Sequence, residues 1–496
     1  MTTTSSDILA LGIDVGTTNT KATLVAVDPT GVRELALAAA PTPSDAPGLL
    51  AMVARVVDDV LGETSGGPHT VGIASMAETG VCLDKHDEPT TGLLRWDPRR
   101  ATGQASRLAD SYGADALFAA TGVRPSGKTP LATWAWLRDH GFAFDRWAGA
   151  ADFVALALTG VLVTDHTLAG RTMAYRMGGA PAETFDAELL ELAGLRPGQL
   201  PHVAAPDDVA AHVSHAALRR FGLGELTRRL APGTPVTVAG HDHPVGAWAA
   251  GARGPGERAD SLGTAEAVLT VLPAPPAPAP VAAAGMSWVR TVSSRHDALL
   301  AGTSSAGAML GWLADHLTDT TVADALVAAA GDVRRTGAPA GPMVLPYLAG
   351  RQTPAPDPQA RVRVLGSAAG ADPALVARSV LDGIALQARW MLEEQAGLGE
   401  AAPGPVTVLG SLLEEPAVAE TKRLATAAPL RRVTAREPVA TGAGLLGAVR
   451  AGLLGPPGPA LGNAPVLPAV DLPPPANDPY RTALTAFTRA ATEGER

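Results

Sequence analysis

Cysteine is almost absent from the 496-residue sequence: Cys82 stands alone. That excludes a disulfide framework within the chain and a zinc site built on thiolates. Aromatic residues reach only 4%, so cores must be assembled from Ala, Val and Leu, which the 46% hydrophobic content supplies. No long basic run is present and the net charge is −10. A broad nucleic-acid-binding surface is therefore not expected, although a small anion can still bind locally. No uninterrupted apolar stretch reaches membrane-spanning length. The opening "MTTTSSDILALGID" lacks the basic start and cleavable apolar core of a secretion signal. These absences predict a soluble cytoplasmic protein.

Glycine and proline are plentiful, at 54 and 43 residues, and are spread along the chain. The length suggests two or more domains. Apolar runs at 8–13 and 21–27 flank "DVGTTNT" and predict an opening hairpin. His69 to Met76 and Pro235 to Gly240 read as strands. Leu131 to Gly141, "FDRWAGAADFVALALTG", Leu375 to Gln395 and "VATGAGLLGAVRAGLL" read as helices. "PAPPAPAP" (Pro273 to Pro280) reads as a polyproline surface loop. A second strand and Gly-Thr turn opens at Ala259, which divides the chain near residues 245 to 255. The two halves form a weak internal repeat of α/β units.

Three patterns carry candidate chemistry. In "DVGTTNTK", glycine and small hydroxyl residues let backbone N–H groups approach phosphate oxygens. Asp14 just before that turn suits Mg²⁺, since hard cations prefer carboxylates. A plain hairpin explains one such turn; the second turn, Gly263-Thr264, favours a pair of phosphate loops. In "VAGHDHPVGAWAAGA", His241, Asp242 and His243 are consecutive. On an extended backbone the two histidines point away from Asp242, which argues against one metal shared by all three. "PSGKTP" imitates part of a P-loop, but the full pattern is missing, and no contact is expected from Lys128. Cys82 reads as buried filler.

Five segments, in order, resemble the FGGY carbohydrate kinases, a branch of the actin-like sugar kinases. They are "LGIDVGTTNTKATLVAVD", "VGIASMAETGVCLDKHDEPTTGLLRW", "AGHDHPVGAWAAG", "DSLGTAEAVLTV" and "LPYLAGRQTPAPDPQARVRVLG", and they cover about residues 8 to 452. The resemblance implies two actin-like (ribonuclease H-like) α/β domains with a cleft between them. It implies a sugar-binding domain at 1–250, a nucleotide-binding domain at 251–455 and a Pro-rich tail at 456–496. It makes Asp242 the general base for phosphoryl transfer from ATP, with Mg²⁺ at Asp14. Substrate contacts fall to Glu78, Trp96, His241 and Asp242. Nucleotide contacts fall to Gly16, Thr17, Thr18, Lys21, Gly263, Thr264, Gly410 and Ser411.

The chain departs from the family pattern in two places. Ala77 replaces an arginine beside Glu78, and "RWDPRR" puts Pro98 where the family has aspartate, unless Asp97 serves instead. The adenine segment is "LGSLLEEP" rather than a glycine pair. The expected activity is phosphorylation of a hydroxyl on a small sugar, ketose or polyol. A catalytically altered pseudokinase, a metal-dependent hydrolase using His241, Asp242 and His243, and a nucleotide-switch protein are the alternatives. The expected partners are the sugar or polyol and the nucleotide; a second copy of the chain is left open.

Overall fold

Between Ile8 and Val15 apolar residues occupy both faces, the pattern of a strand covered on two sides. In the computed structural model, which describes residues 7–62, 66–317, 320–366, 372–399 and 404–493, this run is β1 (Ile8–Val15), buried from its third residue onward. It turns into β2 (Asn19–Asp28), which turns into β3 (Gly31–Pro41). Asp45 accepts from the Gly48 amide at 2.7 Å and so caps α1 (Ala46–Leu61), with Pro47 in its first turn. There follow β4 (Thr70–Ser75), α2 (Ala150–Thr159), β5 (Ala211–His212), β6 (Pro235–His241) and α3 (Asp242–Ala249). The sheet order is β3-β2-β1-β4-β6-β5. The first three strands are antiparallel, while β1, β4 and β6 are parallel.

By compactness the chain forms two units, and the first takes back a late segment: Met1–Arg253, Trp288–Asp297 and Glu437–Pro468. The returning helix, Pro438–Arg450, is rich in small residues and almost wholly buried. Its backbone lies directly on the first sheet. A Cβ on Gly12 would sit 1.7 Å from the Ala440 carbonyl oxygen, and one on Gly72 would sit 1.8 Å from that of Ala443. Glycine is required in β1 and β4 because the helix backbone occupies the space of a side chain.

The second unit comprises Gly254–Ser287, Ala298–Arg436 and Ala469–Arg496. It contains β7 (Arg258–Leu262), β8 (Glu266–Val271), β9 (Asp297–Thr303), α4 (Pro373–Gly399), β10 (Val406–Leu409), α5 (Pro416–Thr426), β11 (Leu430–Val433) and β12 (Ala469–Leu472). Six strands of its seven-stranded sheet, in the order β9-β8-β7-β10-β11-β12, repeat the plan of the first sheet. Three antiparallel strands are followed by two parallel additions. The repeat seen in the sequence is thus one of topology.

Three expectations change. "FDRWAGAADFVALALTG" begins as a short strand, Arg146–Gly149, and becomes helix only at Ala150, where the Asp152 carboxylate accepts from the Gly149 amide. The polyproline tract is irregular and largely exposed at 273–277, as expected, but its last three residues open a helix, Pro278–Ala283, because proline is tolerated in a first helical turn. Residues 456–496 carry helices Pro457–Asn463 and Arg481–Thr492 and edge strand β12. That stretch is shared between the two units.

Candidate active site

Strand β6 ends at His241 and α3 begins at Asp242. The junction needs Gly240: its φ is 127°, and a Cβ there would meet Thr167 Oγ1 at 2.3 Å. Thr167 instead accepts from the His241 amide at 2.9 Å. Asp242 Oδ1 then collects the His243 amide at 2.7 Å, His241 Nε2 at 3.1 Å and, at 3.9 Å, His243 Nε2. Burial alone would raise the Asp242 carboxyl. The His243 and His241 imidazoles and the His243 amide outweigh it and hold the group well below the usual carboxylate range. The helix N-terminus favours the same charge. Burial pulls the His243 imidazole down.

This arrangement corrects the expectation that the histidines splay apart. Ligand atoms of His241, Asp242 and His243 lie within 4.8 Å of one another. The backbone bends into a helix at Asp242, so alternation along a strand does not apply.

On β1, Asp14 is 5% exposed and its Oδ1 has no hydrogen-bond partner. Burial pushes its carboxyl up to about 7; Lys21 opposes this, while Asp242 and Glu437 add to it. Lys21 stands directly across the hairpin from Asp14 and pairs with Glu437 at 2.7 Å. Gly16, Thr17 and Thr18 form the turn, with both threonines exposed. A buried carboxylate oxygen lacking a donor fits a hard cation.

Glu78 sits at φ 62°, an uncommon conformation for a residue with a side chain. Its Oε1 accepts from Arg171 Nη2 at 2.6 Å, and its Oε2 faces Lys128 Nζ at 3.3 Å. Burial raises the Glu78 carboxyl, but Lys128 and Arg171 more than reverse it and leave it lowered. Lys128, from which no contact was expected, is therefore part of this cluster. Trp96 is 37% exposed, and its Nε1 donates to Thr17 Oγ1 at 3.3 Å. Asp97 bonds to the Arg99 amide and side chain. The first unit thus brings together Asp14, the Gly16–Thr18 turn, Lys21, Glu78, Trp96, His241 and Asp242. Arg171 and Glu437 escaped the sequence reading, because no local pattern marks a partner so far along the chain.

In the second unit, Gly263 and Thr264 turn β7 into β8, and their carbonyls accept from the Gly307 and Ala308 amides at 3.0 Å each. Gly410 has φ 120°, and a Cβ there would lie 2.1 Å from the Leu262 carbonyl oxygen. Ser411 follows at the start of a short 3₁₀ turn. The turn and the Gly410-Ser411 pair are therefore neighbours. Beneath them Lys422 of α5 reaches Asp260 Oδ2 at 2.5 Å and Glu266 Oε1. All three are essentially unexposed.

Residues 9–249 match the FGGY family of carbohydrate kinases, N-terminal domain, and residues 259–451 match its C-terminal domain. The chain belongs to the FGGY family of carbohydrate kinases. This carbohydrate kinase is 22% identical over 422 residues to a gluconokinase of Bacillus subtilis, covering 80% of this chain and 78% of the relative. It is 30% identical over 299 residues to a xylulose kinase of Streptomyces rubiginosus, covering 59% and 56%. Gluconate kinase from Lactobacillus acidophilus superimposes with a TM-score of 0.81 at 21% identity, over 98% of this chain and 99% of that one. Plasmodium falciparum glycerol kinase, solved with ADP, gives 0.78 at 16%, over 98% of each. The shared fold is two actin-like α/β domains. The kinase is a phosphotransferase, its family uses ATP as co-substrate, and the hydrolase reading falls away. Among the described residues no helix is long and apolar enough to cross a membrane.

Proposed function

We propose that the kinase moves the γ-phosphoryl group of ATP, with Mg²⁺, onto a hydroxyl of a small sugar, ketose or polyol, with Asp242 as general base. The hydroxyl proton passes to the Asp242 carboxylate as its oxygen bonds to the γ-phosphorus and the bond to ADP breaks. A loose phosphoryl transition state asks for positioning, charge neutralisation and one base. Asp242 suits the last task because the His241 side chain and the His243 amide both converge on its Oδ1 and favour the ionised form. That is the observation carrying this reading.

The remaining residues take supporting roles. Asp14 would hold the cation, whose chemistry is to neutralise phosphate charge. Gly16, Thr17, Thr18 and Lys21, with Gly263, Thr264, Gly410 and Ser411, would hold the nucleotide. Trp96, His241 and the Glu78 cluster would face the sugar. Residues 1–250 then serve sugar binding and 251–455 nucleotide binding, apart from the helix that returns to the first unit. Asp242→Asn should lower turnover by roughly 10²- to 10⁴-fold while ATP affinity and melting temperature stay near wild type. Wild-type turnover in that variant would remove Asp242 from the role of base.

A further inference from the structure

We infer that the acceptor is a polyhydroxy carboxylate, recognised by Lys128, rather than a neutral sugar or polyol; this deepens the phosphotransfer reading and rests on it. The argument begins with the two oxygens of Glu78. Each already faces a cation, Arg171 on one side and Lys128 on the other. Because the Glu78 side chain is also only 7% exposed, little of its remaining acceptor capacity is open to a substrate hydroxyl. Exposure then shows which group the cluster presents outward. The side chains of Glu78 and Arg171 are 7% and 6% exposed, whereas that of Lys128 is 38% exposed. The outward face is therefore an ammonium.

Donors also exceed acceptors here. Lys128 has three N–H groups, and Arg171 keeps Nε and Nη1 without any hydrogen-bond partner. Charge is unbalanced in the same sense, with two cations on one carboxylate. Asp242 does not correct this, since its carboxylate is met by the His241 and His243 side chains and the His243 amide. Yet the cluster adjoins the base: Lys128 and Arg171 both act on His243, and His241 acts on Glu78. A ligand with a hydroxyl at Asp242 and an anionic end at Lys128 would meet both groups. A carboxylate is the anion that charge-assisted N–H donors bind well on a small polyol skeleton.

The test pairs aldonates and uronates with the neutral aldose, ketose and polyol of the same chain length, plus a set of sugar phosphates. ADP release and product mass are measured with Mg·ATP on the full-length protein. Calorimetric titration of each acid runs alongside. The acids should show kcat/KM at least about tenfold above their neutral partners, the scale of one charge-assisted bond. Lys128→Met should raise KM for the acid about tenfold or more with kcat far less affected, and Lys128→Arg should restore part of the loss. Equal use of neutral partners, or a Lys128→Met effect no larger for acids, overturns the inference and leaves phosphotransfer intact. A preference for sugar phosphates overturns the carboxylate assignment. An acid that binds through Lys128 but is never phosphorylated upholds the charge inference and sinks the phosphotransfer reading instead.

Discussion

The Asp14 and Asp260 hairpins follow one plan: an aspartate near the end of a strand, a turn containing Gly-Thr, and an antiparallel return. They treat the aspartate in opposite ways. Asp260 is clamped by Lys422, which also holds Glu266 across the turn. Asp14 is buried too, but the lysine across its hairpin makes its ion pair with Glu437 instead. One carboxylate braces the fold. The other is left without such a clamp and with a raised carboxyl, which suits a working site rather than a structural one.

If the clamp in the second hairpin is structural, Lys422→Met should be the most damaging change, since it strands two buried carboxylates beside each other. A loss of about 3–5 kcal/mol in urea unfolding is expected; a loss under 1 kcal/mol would erase the contrast. Asp14→Asn should act in the reverse direction. The protein should be at least as stable as wild type in urea, while turnover falls by roughly 100-fold, or about 3 kcal/mol of barrier, and its dependence on Mg²⁺ weakens. An Asp14→Asn protein that unfolds easily and keeps its metal response would make the two hairpins alike.

The smallest effect concerns pH. Burial, with Asp260 beside it, pushes the Glu266 carboxyl up to about 8 despite Lys422, and neither Asp260 Oδ1 nor Glu266 Oε2 has a donor. Its folded value lies above the unfolded one, so the native state binds the extra proton. The associated stability is present at low pH and is lost as pH rises through about 8, at no more than about 1.4 kcal/mol per unit. Glu266→Gln should flatten that decline between about pH 5 and 8. A decline of equal slope in both proteins would show that Glu266 is not its source.

Local chemistry was easy to read in the sequence. Gly-Thr turns and apolar runs announce hairpins, and the order of five segments pointed to the two-domain fold. Asp242 could be found because it follows a strand directly. The histidine geometry was misjudged because the strand passes directly into a helix there. Ion pairs were harder. Glu78 meets Arg171 across 93 positions and Asp260 meets Lys422 across 162. Such partners are chosen by the packed fold, and no periodicity announces them. Lys128 was visible, but the incomplete phosphate loop around it gave it no partner.

The helix resting on Gly12 and Gly72 sets a timetable. The ribosome delivers β1 and β4 early and Pro438–Arg450 only after nearly all of the second unit has been made. Until then the first sheet keeps a bare backbone furrow where two glycines await a neighbour. The first unit to emerge therefore cannot finish until the second is nearly made, and a chain stopped short of residue 438 leaves its earliest part incomplete along with its end.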